Sequence, residues 1–331
     1  MKLVIIYLKH LNTLLRSFML MPFLLVGVTA HTQSTDDLKN KEAIAQNKAK
    51  TQISWDYQYS GEKPGKTGVR TSVTTFTAKG DISQVDALNS KGVVTHSEKY
   101  RYDAKGNKTE YTRNSGESSY QKKYVYNDKN QLVEESGFDG VENFRNLYGY
   151  NAQGEMTEIR YMKKSVIFEK RVFEKKDATT TVSVYNATGV LTSKLLLRYD
   201  NRGNLVEEIV YGGNQSELEK KTYHYDDNKN LKEEAKYKLD KITLKTSYNY
   251  NTSGALVEIT EETPGVVRFV KKSFTYDPKG SLLEIKWRRK GTEEFNRITY
   301  QYDDRGLCTS ADTYYPATHY RVLTKYTYEY F

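Results

Sequence analysis

The chain has 331 residues, of which 37% are hydrophobic, 28% are charged and 29 are Tyr. Its single Cys cannot form an internal disulfide, which excludes a small domain stapled by disulfides. The formal charge of +9 is spread among many Glu and Asp, with no block of Lys or Arg that would follow a phosphate backbone, so we expect no nucleic-acid partner.

The first 30 residues have the pattern of a secretory signal peptide. Lys2, Lys9 and Arg16 make the start positive, and residues 17–28 form an apolar run. Small residues then lead to a cleavage site at Ala30. We therefore predict a secreted, periplasmic or outer-surface protein, with a retained N-terminal anchor as the alternative.

A repeated unit begins after a polar segment. Residues 31–52 favour a linker with room for one short helix, and residues 53–331 are predicted to form one repeat domain. An aromatic anchor recurs every 23 to 26 residues, which is typical of a repeat architecture and gives about ten units. The anchors are Phe76, Tyr102, Tyr126, Tyr150, Phe173, Tyr199, Tyr225, Tyr250, Tyr276, Tyr302 and Tyr328.

A turn signature follows most anchors. Asp or Asn stands one residue later, as at Asp200, and Gly stands four residues later, as at Gly203. Asp and Asn open type I turns, and Gly accepts the positive φ that closes a hairpin with a bulge. The sequence therefore predicts an all-β fold: a long antiparallel meander of hairpins that curls into an open superhelical sheet or partial shell.

The hairpins are predicted to share one aromatic face. A second Tyr stands two residues before most anchors, and alternation at period two places both rings on the same side. Leu often stands six residues after the anchor and Glu eight residues after it. With a three-residue loop and one bulge, the anchor pairs with the Leu and the earlier Tyr pairs with the Glu. A Tyr hydroxyl can then donate to a carboxylate.

This Tyr–Glu face is the candidate ligand-binding surface, because tyrosine rings and carboxylates both suit sugars. The structural interpretation is nevertheless favoured: the rings pack and the Glu series fixes strand register, since every unit carries it. The candidate residues are Tyr199, Glu207, Tyr223, Tyr225, Glu233, Tyr248, Tyr250, Glu258, Tyr276 and Glu284.

Catalytic and metal-binding patterns are missing from the sequence. The four His after residue 30 have no metal-ligand spacing, and Cys308 takes the Leu position of its unit, where a buried hydrophobe is expected. Residues 61–67 (GEKPGKT) are one residue short of a phosphate loop and precede a strand pattern, so we expect a hairpin loop and no nucleotide. We predict a non-enzymatic protein with no cofactor and no metal.

The phrase Tyr-Asp-x-x-Gly-Asn-Leu-x-Glu at residues 199–207 resembles the YD repeat of Rhs-type secreted proteins. The resemblance covers about residues 70–331, and Phe173 begins the weakest copy. It implies a secreted or surface protein whose repeats wind a β-sheet into a shell or superhelix, in a family where several members are thought to bind carbohydrate. Larger members enclose a C-terminal toxin, whereas we expect a short form without one.

The sequence thus favours a non-catalytic secreted or cell-envelope scaffold that binds a glycan or an envelope protein on its curved sheet. An outer-membrane-associated β protein is the alternative, followed by a glycan-active enzyme. Glu329 and Lys325 alternate with Phe331, where a lipid-embedded barrel needs apolar residues. Because residues 326–331 have no return strand, we expect an aromatic edge that is covered by the preceding turn or pairs with a second copy of the chain.

Overall fold

A computed structural model describes residues 40–331, which are almost entirely β. The predicted signal peptide and residues 31–39 lie outside this range. Residues 40–46 are helical, and the first strand begins at Ala49, inside the segment predicted as a linker. Within residues 40–331, no helix is long and apolar enough to cross a membrane.

Twenty-three strands and one short 3-10 helix follow one another along the chain. They are β1 (Ala49–Ser60), β2 (Lys63–Pro64), β3 (Val69–Phe76), β4 (Ile82–Leu88), β5 (Val94–Tyr102), β6 (Lys108–Ser115), β7 (Ser118–Tyr126), β8 (Leu132–Phe138), β9 (Asn143–Tyr150), β10 (Met156–Lys163), β11 (Val166–Lys176), β12 (Thr179–Asn186), β13 (Leu191–Tyr199), β14 (Leu205–Gly212), β15 (Glu217–Tyr225), β16 (Leu231–Lys238), β17 (Lys241–Tyr250), β18 (Leu256–Thr263), β19 (Val266–Tyr276), β20 (Leu282–Trp287), β21 (Asn296–Tyr302), β22 (Cys308–Tyr315), the 3-10 helix Pro316–Thr318, and β23 (Tyr320–Tyr330).

Twenty-two of these strands form a closed antiparallel barrel. Each strand from β4 to β22 pairs with its two chain neighbours, and β1 pairs with both β3 and β23. The two-residue β2 pairs only with the far end of β1. The all-β meander was predicted correctly, but the prediction of an open superhelical sheet is wrong, because the first and last strands hydrogen bond to each other.

The expected edge at residues 326–331 is covered by β1. Gln52 stands opposite Tyr328, and the Phe331 N–H donates to the Lys48 carbonyl at 3.0 Å. The missing return strand therefore comes from residues 49–60, which precede the first repeat turn and carry no Asp-x-x-Gly signature. Neither a preceding turn nor a second chain is needed to cover this edge.

The repeat turns lie at one end of the barrel, which we call the Asp-turn rim. At Asp200 the carboxylate accepts the N–H of Asn204 at 2.8 Å, and the Asp200 carbonyl accepts the N–H of Gly203 at 3.1 Å. Gly203 has φ +80°, and Asn130 and Lys229 take the same left-handed conformation at equivalent positions. The predicted turn chemistry is confirmed in these units.

The unit at Phe173 departs from the repeat. Phe173 lies within β11, which continues to Lys176 and then turns tightly through Asp177, at φ +51°. The repeat signature in the sequence is weakest in this unit because β11 continues beyond the position at which the other units turn.

Buried hydrophobic side chains form only local clusters. One joins the N-terminal helix to the Asp-turn rim through Ile44, Phe76 and Leu307, and another lies at Leu195 and Leu197. Over most of the wall, side chains on both faces are half-buried rather than buried. A second packed layer would bury one face. The wall is therefore a single layer, with no second layer of the described chain packed on either face.

Candidate functional site

A bulge directly after each repeat turn decides which residues share a face of the wall. Tyr225 pairs with Leu231, as predicted, but its neighbour His224 pairs with Glu233. Lys232 is therefore an extra residue in the second strand. A one-residue shift moves the following side chains to the other face. The predicted pairing of Glu233 with the Tyr two residues before the anchor is wrong.

The same shift divides the ten candidate residues between two surfaces. On one surface, which we call the tyrosine face, lie Tyr199, Tyr223, Tyr225, Tyr248, Tyr250 and Tyr276. On the opposite surface, which we call the ion-pair face, lie Glu207, Glu233, Glu258 and Glu284, paired with Arg198, His224, Asn249 and Thr275. The two sets cannot contact one ligand together.

The glutamates of the ion-pair face are held by neighbouring strands. Glu207 is hydrogen bonded to Arg198 and lies 3.0 Å from the Lys220 ammonium. Glu233 lies 2.7 Å from the Lys245 ammonium. Such partly exposed pairs contribute about 0–1 kcal/mol each. These contacts support the structural interpretation of the Glu series, since Glu207 and Glu233 each tie their strand to a neighbouring strand.

A different set of carboxylates belongs to the tyrosine face. Glu135, Glu208 and Glu234 stand nine residues after their anchors and pair with residues of the tyrosine face. Sequence reasoning missed them because it assumed a single bulge. The signal was present as a Glu doublet at residues 134–135, 207–208 and 233–234. Two adjacent strand residues point to opposite faces whatever the register.

Glu135 is the centre of the most enclosed polar network that we find on this face. Its side chain is hydrogen bonded to the Lys122 ammonium, to the Asn146 amide at 3.1 Å and to the Tyr148 hydroxyl at 3.1 Å, and the residue is 5% exposed. Burial lowers the pKa of Lys122, but the hydrogen bond and charge of Glu135 outweigh it and hold that pKa above its usual value. Burial, reinforced by the charge of Glu135, raises the pKa of Tyr148.

Glu208 forms a second network of the same chemistry. It accepts a hydrogen bond from the Tyr223 hydroxyl at 3.3 Å, and the Lys221 ammonium lies 3.3 Å from Glu208 and 3.2 Å from Glu219. Burial, with the nearby carboxylates, raises the pKa of Tyr223. In both networks the Tyr donates to a carboxylate of the preceding hairpin. The hydrogen-bonding capacity of these carboxylates is thus largely used within the wall.

A depression of about 760 Å³ opens on the tyrosine face beside the Asp-turn rim. It lies at the irregular hairpin of β11 and β12 and is lined by Ile159, Arg171, Phe173 and Tyr199, among others. Arg171 is bonded to Glu169 at 2.8 Å, so its charge is already paired. The depression therefore arises because the repeat is interrupted at this hairpin. The charge of Arg171, which lines it, is already paired with Glu169.

Reactive and metal-binding chemistry has little support in residues 40–331. That part of the chain contains no group of three or more His, Cys, Asp or Glu placed to hold a metal ion. Cys308 is half-buried on the tyrosine face, and burial raises the pKa of its thiol to about 11. Thiolate is the reactive form, so this thiol is a poor nucleophile at neutral pH.

Comparisons with known proteins do not identify a family for the whole chain. A family model described only as an uncharacterised protein matches residues 196–329, fewer than half of the chain. A comparison with curated proteins finds no match. Among solved structures, a porin-like protein from Bacteroides uniformis is similar over 85% of this chain and 98% of that chain, with 11% identity and a TM-score of 0.32.

Solved structures of toxin complexes resemble this chain to a comparable extent. The Photorhabdus luminescens Tc holotoxin pore matches 78% of this chain, with 13% identity and a TM-score of 0.29, and the TcdB2-TccC3-TEV crystal structure matches 77%, with 15% identity and a TM-score of 0.28. This chain spans only 19% and 15% of the length of those two chains. TM-scores of this size do not establish a shared fold, so the resemblance to YD-repeat proteins stays a prediction.

Proposed function

We propose that the protein is a non-catalytic, water-filled β-barrel of the cell envelope that associates with the outer membrane while its wall remains in water. The pairing of β1 with β23 is the observation that carries this proposal, because it closes the sheet into a ring without an open edge. Strands spaced by about 4.8 Å give a ring of this size a perimeter of at least about 105 Å. A barrel this wide encloses an aqueous space.

The envelope location is supported by two independent features. The N-terminal pattern of residues 1–30 predicts export. The closed barrel agrees better with an outer-membrane-associated β protein than with the predicted open sheet, since β1 pairs with β23 and leaves no open edge in residues 40–331.

The chemistry of the wall favours association with a membrane over insertion into one. The ion-pair face carries charged rows, and the tyrosine face carries Lys122, Arg171, Lys221 and Lys272 near the middle of their strands. A Lys or Arg on a lipid-facing wall costs about 2–4 kcal/mol at the midplane, so four of them cost on the order of 10 kcal/mol. Neither face offers the apolar band that a lipid-embedded barrel needs.

Ligand binding on the tyrosine face is not part of this proposal. The carboxylates of that face already accept hydrogen bonds from Lys122, Tyr148, Lys221 and Tyr223. A glycan would have to replace those contacts, and the predicted Glu partners lie on the other surface.

The ring closure can be tested by a disulfide between the first and last strands. Ile53 stands opposite Thr327, so Ile53→Cys with Thr327→Cys, in a Cys308→Ser background, should oxidise within one chain and migrate faster on non-reducing gels. The matched control pairs Ile53→Cys with Thr299→Cys, which lies on the same face but on β21, three strands away from β1. Crosslinks that form only between chains would refute the closed ring.

The membrane relationship can be tested by fractionation of the native envelope. We expect alkaline carbonate to release the protein from the membrane fraction without detergent. A requirement for detergent, together with heat-modifiable migration on gels, would show instead that lipid surrounds the wall.

A further inference from the structure

Three side chains from consecutive strands meet at one carboxylate of the tyrosine face. They are Lys122 on β7, Glu135 on β8 and Asn146 on β9. The Lys122 ammonium donates to one oxygen of Glu135, and the Asn146 amide nitrogen donates to the other oxygen at 3.1 Å. Gly137, which stands opposite Lys122, has no side chain to separate Lys122 from β9. A lysine amine and a carboxamide are therefore held together by the same carboxylate.

Aromatic rings enclose this group. The Lys122 nitrogen lies 5.6 Å from the centre of the Tyr120 ring and 5.7 Å from that of the Phe144 ring. The Tyr148 hydroxyl donates to Glu135 at 3.1 Å. The side chain of Lys122 is 25% exposed and that of Glu135 is 6% exposed. Because the attraction within an enclosed ion pair is largely offset by the loss of hydration, a reaction that leaves both groups uncharged is favourable in these surroundings.

The amide distinguishes this network from the Glu208 network on the same face. The residue opposite Glu135 on the next strand is Asn146, whereas the residue opposite Glu208 on the next strand is Lys221. The Glu208 network thus has a lysine, a carboxylate and a tyrosine, but no carboxamide at this position. It provides an internal control for chemistry that needs all three groups.

We propose that Lys122 and Asn146 form an intramolecular isopeptide bond, with Glu135 as the group that moves the protons. Glu135 takes one proton from the Lys122 ammonium, and the neutral amine attacks the side-chain carbonyl carbon (Cγ) of Asn146. As the bond between Cγ and the Asn146 amide nitrogen breaks, Glu135 gives its proton to that nitrogen, which leaves as ammonia, and receives the second proton of the amine. The products are a neutral secondary amide, a neutral Glu135 carboxyl and ammonia, so atoms and charge balance without an oxidant or a cofactor.

The proton on Lys122 does not prevent this reaction. Glu135 holds the pKa of Lys122 above its usual value, so the amine does not lose its proton to bulk water. Transfer of that proton to Glu135 along the existing hydrogen bond instead cancels two enclosed charges at once. Lysine carries its nitrogen on a flexible four-carbon stem, which lets the freed amine approach Asn146 while the strands keep their register.

The bond joins equivalent positions of two consecutive repeats, since Lys122 and Asn146 each stand four residues before their anchors, Tyr126 and Tyr150. It crosses β8 and fastens β7 to β9, so these strands stay linked when their hydrogen bonds break. A covalent loop of this kind also restricts the unfolded chain. The bond needs only the local strand geometry, so it forms whether or not the barrel meets a membrane.

The test is intact mass spectrometry of the protein purified from its native envelope. We expect a mass about 17 Da below that calculated from the processed sequence, because one ammonia is lost. Trypsin should fail to cut after Lys122 and should release a branched peptide in which residues 114–123 are joined to residues 146–160. A wild-type mass equal to the calculated one, or a loss of ammonia without the branched peptide, would overturn the bond.

Two variants separate loss of the bond from loss of the fold. Lys122→Arg keeps a positive charge beside Glu135 but removes the nucleophilic amine, and Glu135→Gln should slow bond formation by at least about a hundredfold. Both variants should have their full calculated masses, while β-sheet circular dichroism reports that they remain folded. The matched control is Lys221→Arg in the Glu208 network, which should retain the branched peptide.

Two further outcomes would contradict the proposed chemistry. A loss of about 18 Da, with Lys122 joined to Glu135, would make the carboxylate the acceptor and exclude Asn146. An equally complete bond to Asn146 in Glu135→Gln would exclude Glu135 as the group that moves the protons. Neither outcome bears on ring closure, which the disulfide test reports separately.

Discussion

At the residue scale, the wall is organised by pairs of adjacent glutamates. In each pair, one side chain lies on the ion-pair face and the other lies on the tyrosine face. Glu134 lies on the ion-pair face, where it accepts a hydrogen bond from Arg145 at 2.7 Å. Glu135 lies on the tyrosine face among Lys122, Asn146 and Tyr148. One doublet therefore serves an exposed ion pair and an enclosed network at the same time.

This arrangement predicts very different effects for two neighbouring substitutions. Glu135→Ala should lower the free energy of unfolding by about 2–4 kcal/mol, because it leaves the largely enclosed Lys122 and the Tyr148 hydroxyl without their shared acceptor. Glu134→Ala removes an exposed pair and should have a much smaller effect. Urea unfolding of both variants measures the difference, and equal effects would contradict the assignment of the doublet to two faces.

The repeat turns permit a second residue-scale prediction. Gly203 has φ +80° with open space around it, so Gly203→Ala should cost about 1 kcal/mol through backbone strain alone. Lys229 holds the equivalent position at φ +63°, so Lys229→Gly should change stability in the opposite direction, by less than about 1 kcal/mol. Thermal melts of the two variants should shift to opposite sides of wild type; a shift of both in the same direction would show that the turns are not equivalent.

At the element scale, the first and last strands are the least repeat-like parts of the ring, and they close it. The N-terminal helix holds β1 in place at the Asp-turn rim. Lys41 contacts Asp81 at 2.5 Å, and the Asn47 amide donates to the Arg305 carbonyl at 3.2 Å. Two neighbouring turns are thereby tied to the segment that enters β1.

Removal of β23 should open the barrel. Deletion of residues 321–331 leaves β1 and β22 with unpaired edges, which favours pairing between chains. We expect a lower melting temperature and larger species in size-exclusion chromatography. Deletion of Phe331 alone, which removes one hydrogen bond beyond the strand, is the control. A monomeric and equally stable truncated chain would contradict the role of β23 in closure.

The elements differ in how far the sequence predicts them. Tyr199, Asp200 and Gly203 each carry a local signal for a strand end or a turn, so the hairpins could be predicted. The bulge has no such signal, because the extra residue, Lys232, is of a type that is common in regular strands. The face on which each Glu lies depends on this bulge. Closure could not be predicted because β1 lacks the repeat signature and because pairing across 276 residues, as for Gln52 and Tyr328, depends on the accumulated curvature of all strands.

At the scale of the whole molecule, a face rich in tyrosine makes the folded protein lose stability at alkaline pH. Burial raises the pKa of Tyr111, Tyr124, Tyr225 and Tyr250 to about 12, above the value near 10 of an unfolded chain. Because the folded state keeps these hydroxyls protonated, their contribution is complete below pH 10 and is lost as the pH rises toward 12.

We therefore expect a steep loss of stability between about pH 10 and pH 12. The tyrosinate absorbance and the β-sheet circular dichroism should change together, since ionisation and unfolding are coupled. If the tyrosines titrated near pH 10 while the sheet stayed intact, the rings would be more accessible to water than the structure indicates.

The meeting of the two ends of the described chain has one more consequence. Phe331 is hydrogen bonded to Lys48, so the start and end of the ring lie side by side at the Asp-turn rim. A short linker from residue 331 to residue 40 should therefore allow circular permutation, with new termini opened in an exposed repeat turn such as residues 201–203. Such a permutant should keep the same strand neighbours, because in a closed ring every strand has two partners wherever translation begins.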